Sequence, residues 1–317
     1  MKFPINAIIL AVVTFMAVGF KAEGEESILT QQYDLGKERS SEAQDYHMDV
    51  EIITRASDGS RANIETYSMR LMAKPASLFA GKADRWTCAW FTLKIGKGPK
   101  VSVPAMEGWS YEFNKSVGID EHGQVMGIPH SKFESLTDNK DKKLDALVAY
   151  QVYNQFVQFH AYVDHFATPD PDGGTGIQDL KRIGERIVLD EFSDDLPLAV
   201  GLIIKEGSIY KPGVETLEFK GLSVVDGKPC ALLGVDGGEG SYTMVTNVNT
   251  KTVGGTRYFG DIYVDLASMW LKKAEITVVD VTETSIGDKV VANTTIESHY
   301  RISANGRGRA HGAAEQD

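Results

Sequence analysis

Cysteine is scarce in this chain: 317 residues hold two, Cys88 in "DRWTCAWFTL" and Cys230 in "DGKPCALLGV". Neither has a CxxC partner, which excludes the usual redox motif and the structural zinc knuckle. Both sit among apolar, strand-like neighbours, so the pair reads either as one long-range disulfide or as two buried thiols. Positive charge is also short, with 33 Lys and Arg against 44 Asp and Glu, a formal net charge of −11. That balance repels phosphate backbones and excludes nucleic acid as an expected partner. No GxSxG elbow and no GxxxxGK[ST] loop occurs, and "GGEGSY" reads as a turn. Paired carboxylates such as Asp194/Asp195 and Glu25/Glu26 fall in acidic, polar segments where solvated charge is the ordinary explanation. No enzyme class gains support from these patterns.

Apolar runs are missing too, except at the start. "MKFPINAIILAVVTFMAVGFKAEGEES" has one early basic residue, Lys2, then an apolar stretch from Ala7 to Phe20, then acidic residues. This is the layout of a secretory signal over residues 1–22, with Ala17 and Gly19 as the small residues before a cleavage near Gly19. A membrane anchor is the competing reading, but the stretch falls short of the roughly 20 residues a spanning helix needs. The expectation is therefore an exported protein, periplasmic or extracellular, without stable membrane insertion after cleavage. Residues 23–45 read as a flexible segment and residues 304–317, "ANGRGRAHGAAEQD", as a disordered tail.

Between those ends, residues 46–303 read as a single α+β domain. "YHMDVEIIT" and "ANIETYSMRLMAKP" alternate polar and apolar residues around a turn-rich "RASDGSR", the pattern of a half-buried hairpin. Strand-like alternation returns after residue 202 and runs to "KVVANTTIESHYRIS". In the middle, Leu144, Val148, Val152, Phe156, Phe159, Val163 and Phe166 recur three and four apart, which predicts an amphipathic helix of about 25 residues, from near Asp141 to just before Pro169. Ile177, Leu180, Ile183 and Ile187 suggest a second, shorter helix, so the helical segment covers 141–190. The economical packing is a large curved antiparallel sheet, half-barrel-like, around the long central helix. Two sheets bridged by the helices would be the alternative.

Three constellations bear on function. In "FHAYVDHF", His160 and Asp164 lie about 40° apart on one helical face, a spacing that suits two metal ligands, while His165 points about 140° from His160. A metal-dependent hydrolase using His160 and Asp164 would still need a glutamate base and a third ligand, and neither is identifiable from spacing. The plainer reading pairs His160 with Asp164 and leaves His165 at the helix C-terminus, where a cation is favoured. Next, "TPDPDGGTGIQD" places Thr168, Asp170, Asp172 and Asp179 at positions 1, 3, 5 and 12 of a twelve-residue loop with Gly173 at position 6, similar to a calcium-binding EF-hand loop. Calcium is accordingly the one cofactor to consider, in a secreted structural or interaction domain whose calcium loop covers residues 168–179. Against it stand a Thr first, an Asp last, and two prolines. Last, the aromatic residues on the early strands and the helix could line an apolar cleft, with Trp90, Trp109, Phe156, Phe159 and Phe166 as candidate ligand contacts.

The run "TRYFGDIYVDLASMWLKKAEITVVDV" resembles a hairpin of exported bacterial half-barrel proteins of the lipoprotein-carrier kind, the likeness covering Gly260 to Val279 and including Asp265. That resemblance implies a sheet curled around helices and able to hold acyl chains, with no catalytic residues to carry over. The expected function is a non-enzymatic cell-envelope protein that binds an apolar, lipid-like small molecule or an envelope protein.

Overall fold

The computed structural model describes residues 30–75, 84–113, 130–169, 174–189, 196–198 and 203–304. The early strands are β1 (Gln44–Ala56), β2 (Arg61–Pro75), β3 (Asp84–Ile95), β4 (Val101–Ser102) and β5 (Ser110–Phe113). Helices α1 (His130–Glu134) and α2 (Ala146–Ala167) follow. The later strands are β6 (Arg186–Val188), β7 (Leu196–Pro197), β8 (Ile209–Lys211), β9 (Thr216–Val225), β10 (Lys228–Asp236), β11 (Gly240–Val245), β12 (Thr250–Asp265), β13 (Leu271–Ile286) and β14 (Lys289–Ala304).

All the strands join one antiparallel sheet in the order β4-β3-β2-β1-β14-β13-β12-β10-β9-β6, with β5 on β3, and β11, β8 and β7 branching from β12. The first and last long strands therefore lie side by side at its centre, paired from Tyr46↔Ala304 to Ala56↔Thr294. The order does not return on itself, so the sheet is open, and the described part of the chain is predominantly β. The alternation read from the sequence accounts for this: Tyr46, Met48 and Val50 point to a buried face, with Tyr67, Met69 and Leu71 beside them and Ile276, Tyr300 and Ile302 on the other flank. The opposite face carries cross-strand ion pairs, Arg55–Glu297 at 2.8 Å, Arg257–Asp236 at 2.7 Å and Lys220–Asp261 at 2.6 Å. Asp226 and Gly227, both at positive φ (49° and 74°), make the tight β9–β10 turn that suits the twist of a two-residue hairpin.

The long helix is present but shorter than its apolar spacing suggests. Asp145 caps it, accepting the Leu147 amide at 2.9 Å, whereas Asp141 sits at φ 59° in a preceding turn whose amides bond to Asp138. The expected second helix is a correction: Ile177–Asp179 form a single 3-10 turn and residues 186–188 a strand. Gly184 at φ 90° breaks the run, and the Glu185 carboxylate closes the turn by accepting the Lys181 and Arg182 amides. Apolar residues three apart here mark a buried turn followed by an edge strand.

Both cysteines are free and buried, and six strand-to-strand steps separate β3 from β10 along the sheet. Burial pushes the Cys88 thiol up to about 12. The expected looseness of residues 23–45 does not describe residues 33–40. There Leu35 is fully buried, the Tyr33 ring stands edge-on to Phe219 at 5.3 Å, and Arg39 lies 4.4 Å over the Trp270 ring. The segment proposed as a signal, the residues before Thr30, and the tail after Ala304 lie outside the described residues. Among the described residues no helix is long and apolar enough to cross a membrane.

Candidate functional site

The helix α2 touches protein on two opposite sides, and they differ in chemistry. On one side Val152, Tyr153, Phe156 and Phe159 are buried against the early strands. Phe159 meets Trp86 at 4.9 Å and Tyr46 at 5.2 Å between ring centroids, and Phe156 meets Tyr111 at 5.0 Å. Phe133 of α1 closes the cluster against Tyr153 at 5.0 Å. Edge-to-face rings at these distances add attraction beyond the area they bury.

Four of the five proposed apolar contacts fall in or beside this cluster. Phe156, Phe159 and Phe166 are part of a filled core, and Trp109 leans edge-on against Phe133 at 5.1 Å. Trp90 is not with them: it pairs with Arg70 across β2 and β3 and meets His47 at 5.3 Å, on the face away from the helix. The proposed metal ligands are only partly described. His160 and Asp164 belong to α2, but their side chains lie outside the described residues, as do Asp170 and Asp172. Thr168 directly follows the helix, and Asp179 accepts the Gly176 amide at 2.9 Å within its own 3-10 turn. Among the described residues no group of three or more His, Cys, Asp and Glu is arranged to hold a metal ion.

The other side of α2 is polar. Gln151, Gln158 and His165 are seven residues apart and hence on one stripe, roughly opposite Phe156. Gln158 accepts a hydrogen bond from the Tyr300 hydroxyl on β14, and His165 Nε2 lies 2.6 Å from Glu215 Oε2, just before β9. The second oxygen of Glu215 accepts the Tyr258 hydroxyl. Glu215 is 8% exposed, so its two partners matter: a carboxylate buried to that degree is costly unless its lone pairs are filled. This chain of imidazole, carboxylate and phenol ties the last turn of the helix to β9 and β12.

Beyond the helix, the inner face continues along the same three long strands. Tyr258 faces Val278, Thr256 faces Asp280 and Asp280 faces Ile296, all half-buried. Farther out the face becomes a ladder of hydroxyls, with Thr282 and Thr294 at 2.7 Å and Thr252 and Thr284 at 3.0 Å. Two tyrosines lie flat on this face because glycine lets them. A Cβ on Gly237 would stand 2.2 Å from the Tyr258 ring, and one on Gly254 would stand 3.0 Å from the Tyr242 ring. Tyr242 in turn pairs across the sheet with Tyr210. Residues of the helix's polar stripe, the inner face of β12–β14 and the Tyr210/Tyr242 pair thus lie along one half-buried, largely polar seam.

Its electrostatics are negative. Burial raises the Asp280 carboxyl above its ordinary range, opposed by a hydrogen bond from Thr256. Burial, with Glu215 and Asp280 nearby, pushes the Tyr210 phenol up to about 12, and it raises the Tyr242 and Tyr258 phenols as well. The tyrosines are therefore neutral donors at any physiological pH. Sequence reading missed the seam because its members are spread from residue 150 to residue 300. The readable signal was the glycine pairs, Gly237–Gly238 just past β10 and Gly254–Gly255 inside β12, which mark places where something lies close to the backbone.

At the far end of the sheet a broad depression of about 610 Å³ is bordered by Arg55, Val253, Gly255, Val281, Glu283 and Asn293. Arg55 is held by Glu297, so the depression presents valine and threonine more than charge.

No family model matches the chain, and no curated protein does either. Among solved structures, one titled "Lipid-protein interactions in lipovitellin" is similar with a TM-score of 0.35 and 11% identity, over 88% of this chain. The match spans 27% of that structure's chain, and a likeness of this size carries no argument about fold or ligand.

Proposed function

We propose that the protein is an exported, non-enzymatic component of the cell envelope that binds an amphiphilic, lipid-like ligand along the seam between α2 and the inner face of β12–β14. In this reading the sheet curls around the helix as a half-barrel and keeps its interior water-accessible on one side of the helix only. The observation that carries it is the mixed lining: Val278 and Ile296, half-buried at the margin of the core, stand beside Thr256, Asp280 and Tyr258, whereas Phe156 and Phe159 on the other side of the same helix are fully buried. A surface with apolar area and a few convergent polar groups suits a ligand that has both characters. The aromatic core takes no part in binding, so Phe156 and Phe159 are structural and the ligand contacts lie across the helix from them.

The test is displacement of a fluorescent fatty-acyl probe from the delipidated full chain, repeated with Val278→Gln. Saturable binding that Val278→Gln weakens at least tenfold is expected. Absence of saturable binding, or binding indifferent to Val278→Gln, overturns the reading.

A further inference from the structure

Several carboxylates on the outer face of the sheet are matched to cations. Glu297 has Arg55, Asp236 has Arg257, Asp261 has Lys220 and Asp45 has Arg70. Asp280, on the inner face, has no cation partner among the described residues. It is half-buried in the middle of β13, and what acts on it is its own burial and the hydroxyl of Thr256. The groups acting on the neighbouring tyrosines are Glu215, Asp280 and Asp236, together with the phenols of Tyr150 and Tyr210, all of them acids.

The rings around it are the second feature. Tyr242 is held flat over Gly254, whose cross-strand partner on β13 is Thr282, two residues from Asp280. Tyr210 sits across from Tyr242, and Tyr258 lies on the same face one step along β12 from Thr256, the partner of Asp280. Aromatic faces attract cations through their quadrupole, and desolvation strengthens the attraction. A half-buried carboxylate among such faces is the chemistry that recognises an ammonium group.

We propose that the seam binds an organic cation, an amine or quaternary ammonium group on an apolar body, with Asp280 as counter-charge and the rings of Tyr210, Tyr242 and Tyr258 as its walls. This rests on the amphiphile reading above and names the head group that reading leaves open. The ligand supplies the positive charge that arginine or lysine supplies to the other paired carboxylates. Its apolar body would lie toward Val278 and Ile296.

The test is calorimetric titration of the delipidated full chain, near pH 7.5, with three twelve-carbon probes below their micelle concentrations: dodecyltrimethylammonium, dodecyl maltoside and dodecyl sulfate. The ammonium probe is expected to bind at least tenfold more tightly than the other two. Asp280→Asn should remove that preference, bringing the ammonium probe to within about threefold of the other two. Tyr242→Phe, which keeps the ring, should retain the preference, and Tyr242→Leu should reduce it severalfold. Equal affinity for all three probes, tighter binding of the sulfate, or a preference that survives Asp280→Asn overturns the proposal while sparing the amphiphile reading. Failure of all three to bind overturns both.

Discussion

Two sides of one helix meet the sheet through different chemistry. Toward β1, β3 and α1 it presents Val152, Tyr153, Phe156 and Phe159, and the space is filled by rings meeting at about 5 Å. Toward β12–β14 it presents Gln158 and His165, which hydrogen-bond to Tyr300 and Glu215, and beyond them the sheet carries half-buried residues of mixed character, Val278 and Ile296 beside Thr256 and Asp280. The first region is stabilised by area: each large side chain buried there contributes roughly 1.5–3 kcal/mol. The second gains little from area, and its polar groups must each find a partner or water. On the proposed reading, the part that holds the fold and the part that binds are separate.

Substitutions on the two sides should therefore differ in kind. The largest effect belongs to the aromatic side. Phe159→Ala removes a ring that touches both Trp86 and Tyr46, and it should cost about 3–5 kcal/mol in urea unfolding with probe affinity unchanged in the folded fraction. A cost under about 1 kcal/mol would mean that this side is as loose as the other, and the contrast would be lost. Next comes the tie between them. Glu215→Ala strands the His165 imidazole and the Tyr258 hydroxyl without their carboxylate, for an expected loss of about 1–3 kcal/mol. Because the tie anchors the end of α2, hydrogen exchange should rise in the last turn of the helix and stay unchanged near Phe156. A uniform rise along α2 would show that Glu215 supports the core at large.

An effect of similar size is expected at the glycine that seats a tyrosine. In Gly237→Ala the new Cβ meets the Tyr258 ring at 2.2 Å, so the ring must lift from the sheet, at a cost of about 1–3 kcal/mol. The same displacement should weaken dodecyltrimethylammonium binding, which separates it from a merely destabilising change such as Phe159→Ala. Unchanged binding would place Tyr258 outside the seam's working surface.

How much of this was legible in the sequence depends on the range of the interaction that decides it. Strand alternation and the apolar spacing of α2 are local, and both appear in the antiparallel sheet and in Ala146–Ala167. The second helix failed because spacing alone does not distinguish a helix from a buried turn: Ile177 and Leu180 are buried through a 3-10 turn, and Gly184 at φ 90° could have warned of it. The site was the least readable part. His165 was noticed, but only as a helix-end residue, because its partner Glu215 lies 50 positions away. Trp90 was grouped with the core aromatics because residue type does not reveal sheet face, and the irregular register between Arg70 and Leu71 shifts the alternation on β3 just where it matters. The hairpin Gly260–Val279 is real as β12–β13, with Asp265 buried at its turn accepting the Ala267 amide at 2.8 Å, yet it fixes local geometry and not a ligand.

The smallest effect is also the one whose sign best separates the regions. Asp280 is held above its ordinary value of 3.8 by burial, so the native chain keeps that proton to a higher pH than the unfolded chain does. Between the two values the native state binds more protons, and stability must fall as pH rises through that window. Below the ordinary value the carboxyl is neutral in both states and costs nothing on this account. Above the raised value the full penalty of a half-buried charge is present. Asp280→Asn removes the charge with little change of shape, so its melting temperature should exceed that of the parent near pH 7 and converge with it as pH falls toward 3.8. Phe159→Ala, whose loss is packing, should show no such convergence from this carboxylate. Saturating dodecyltrimethylammonium should narrow the gap between Asp280→Asn and the parent near pH 7, since a bound cation offsets the burial of the carboxylate in the parent alone. A gap that persists unchanged with the ligand bound would mean that the charge of Asp280 is buried for a reason other than binding.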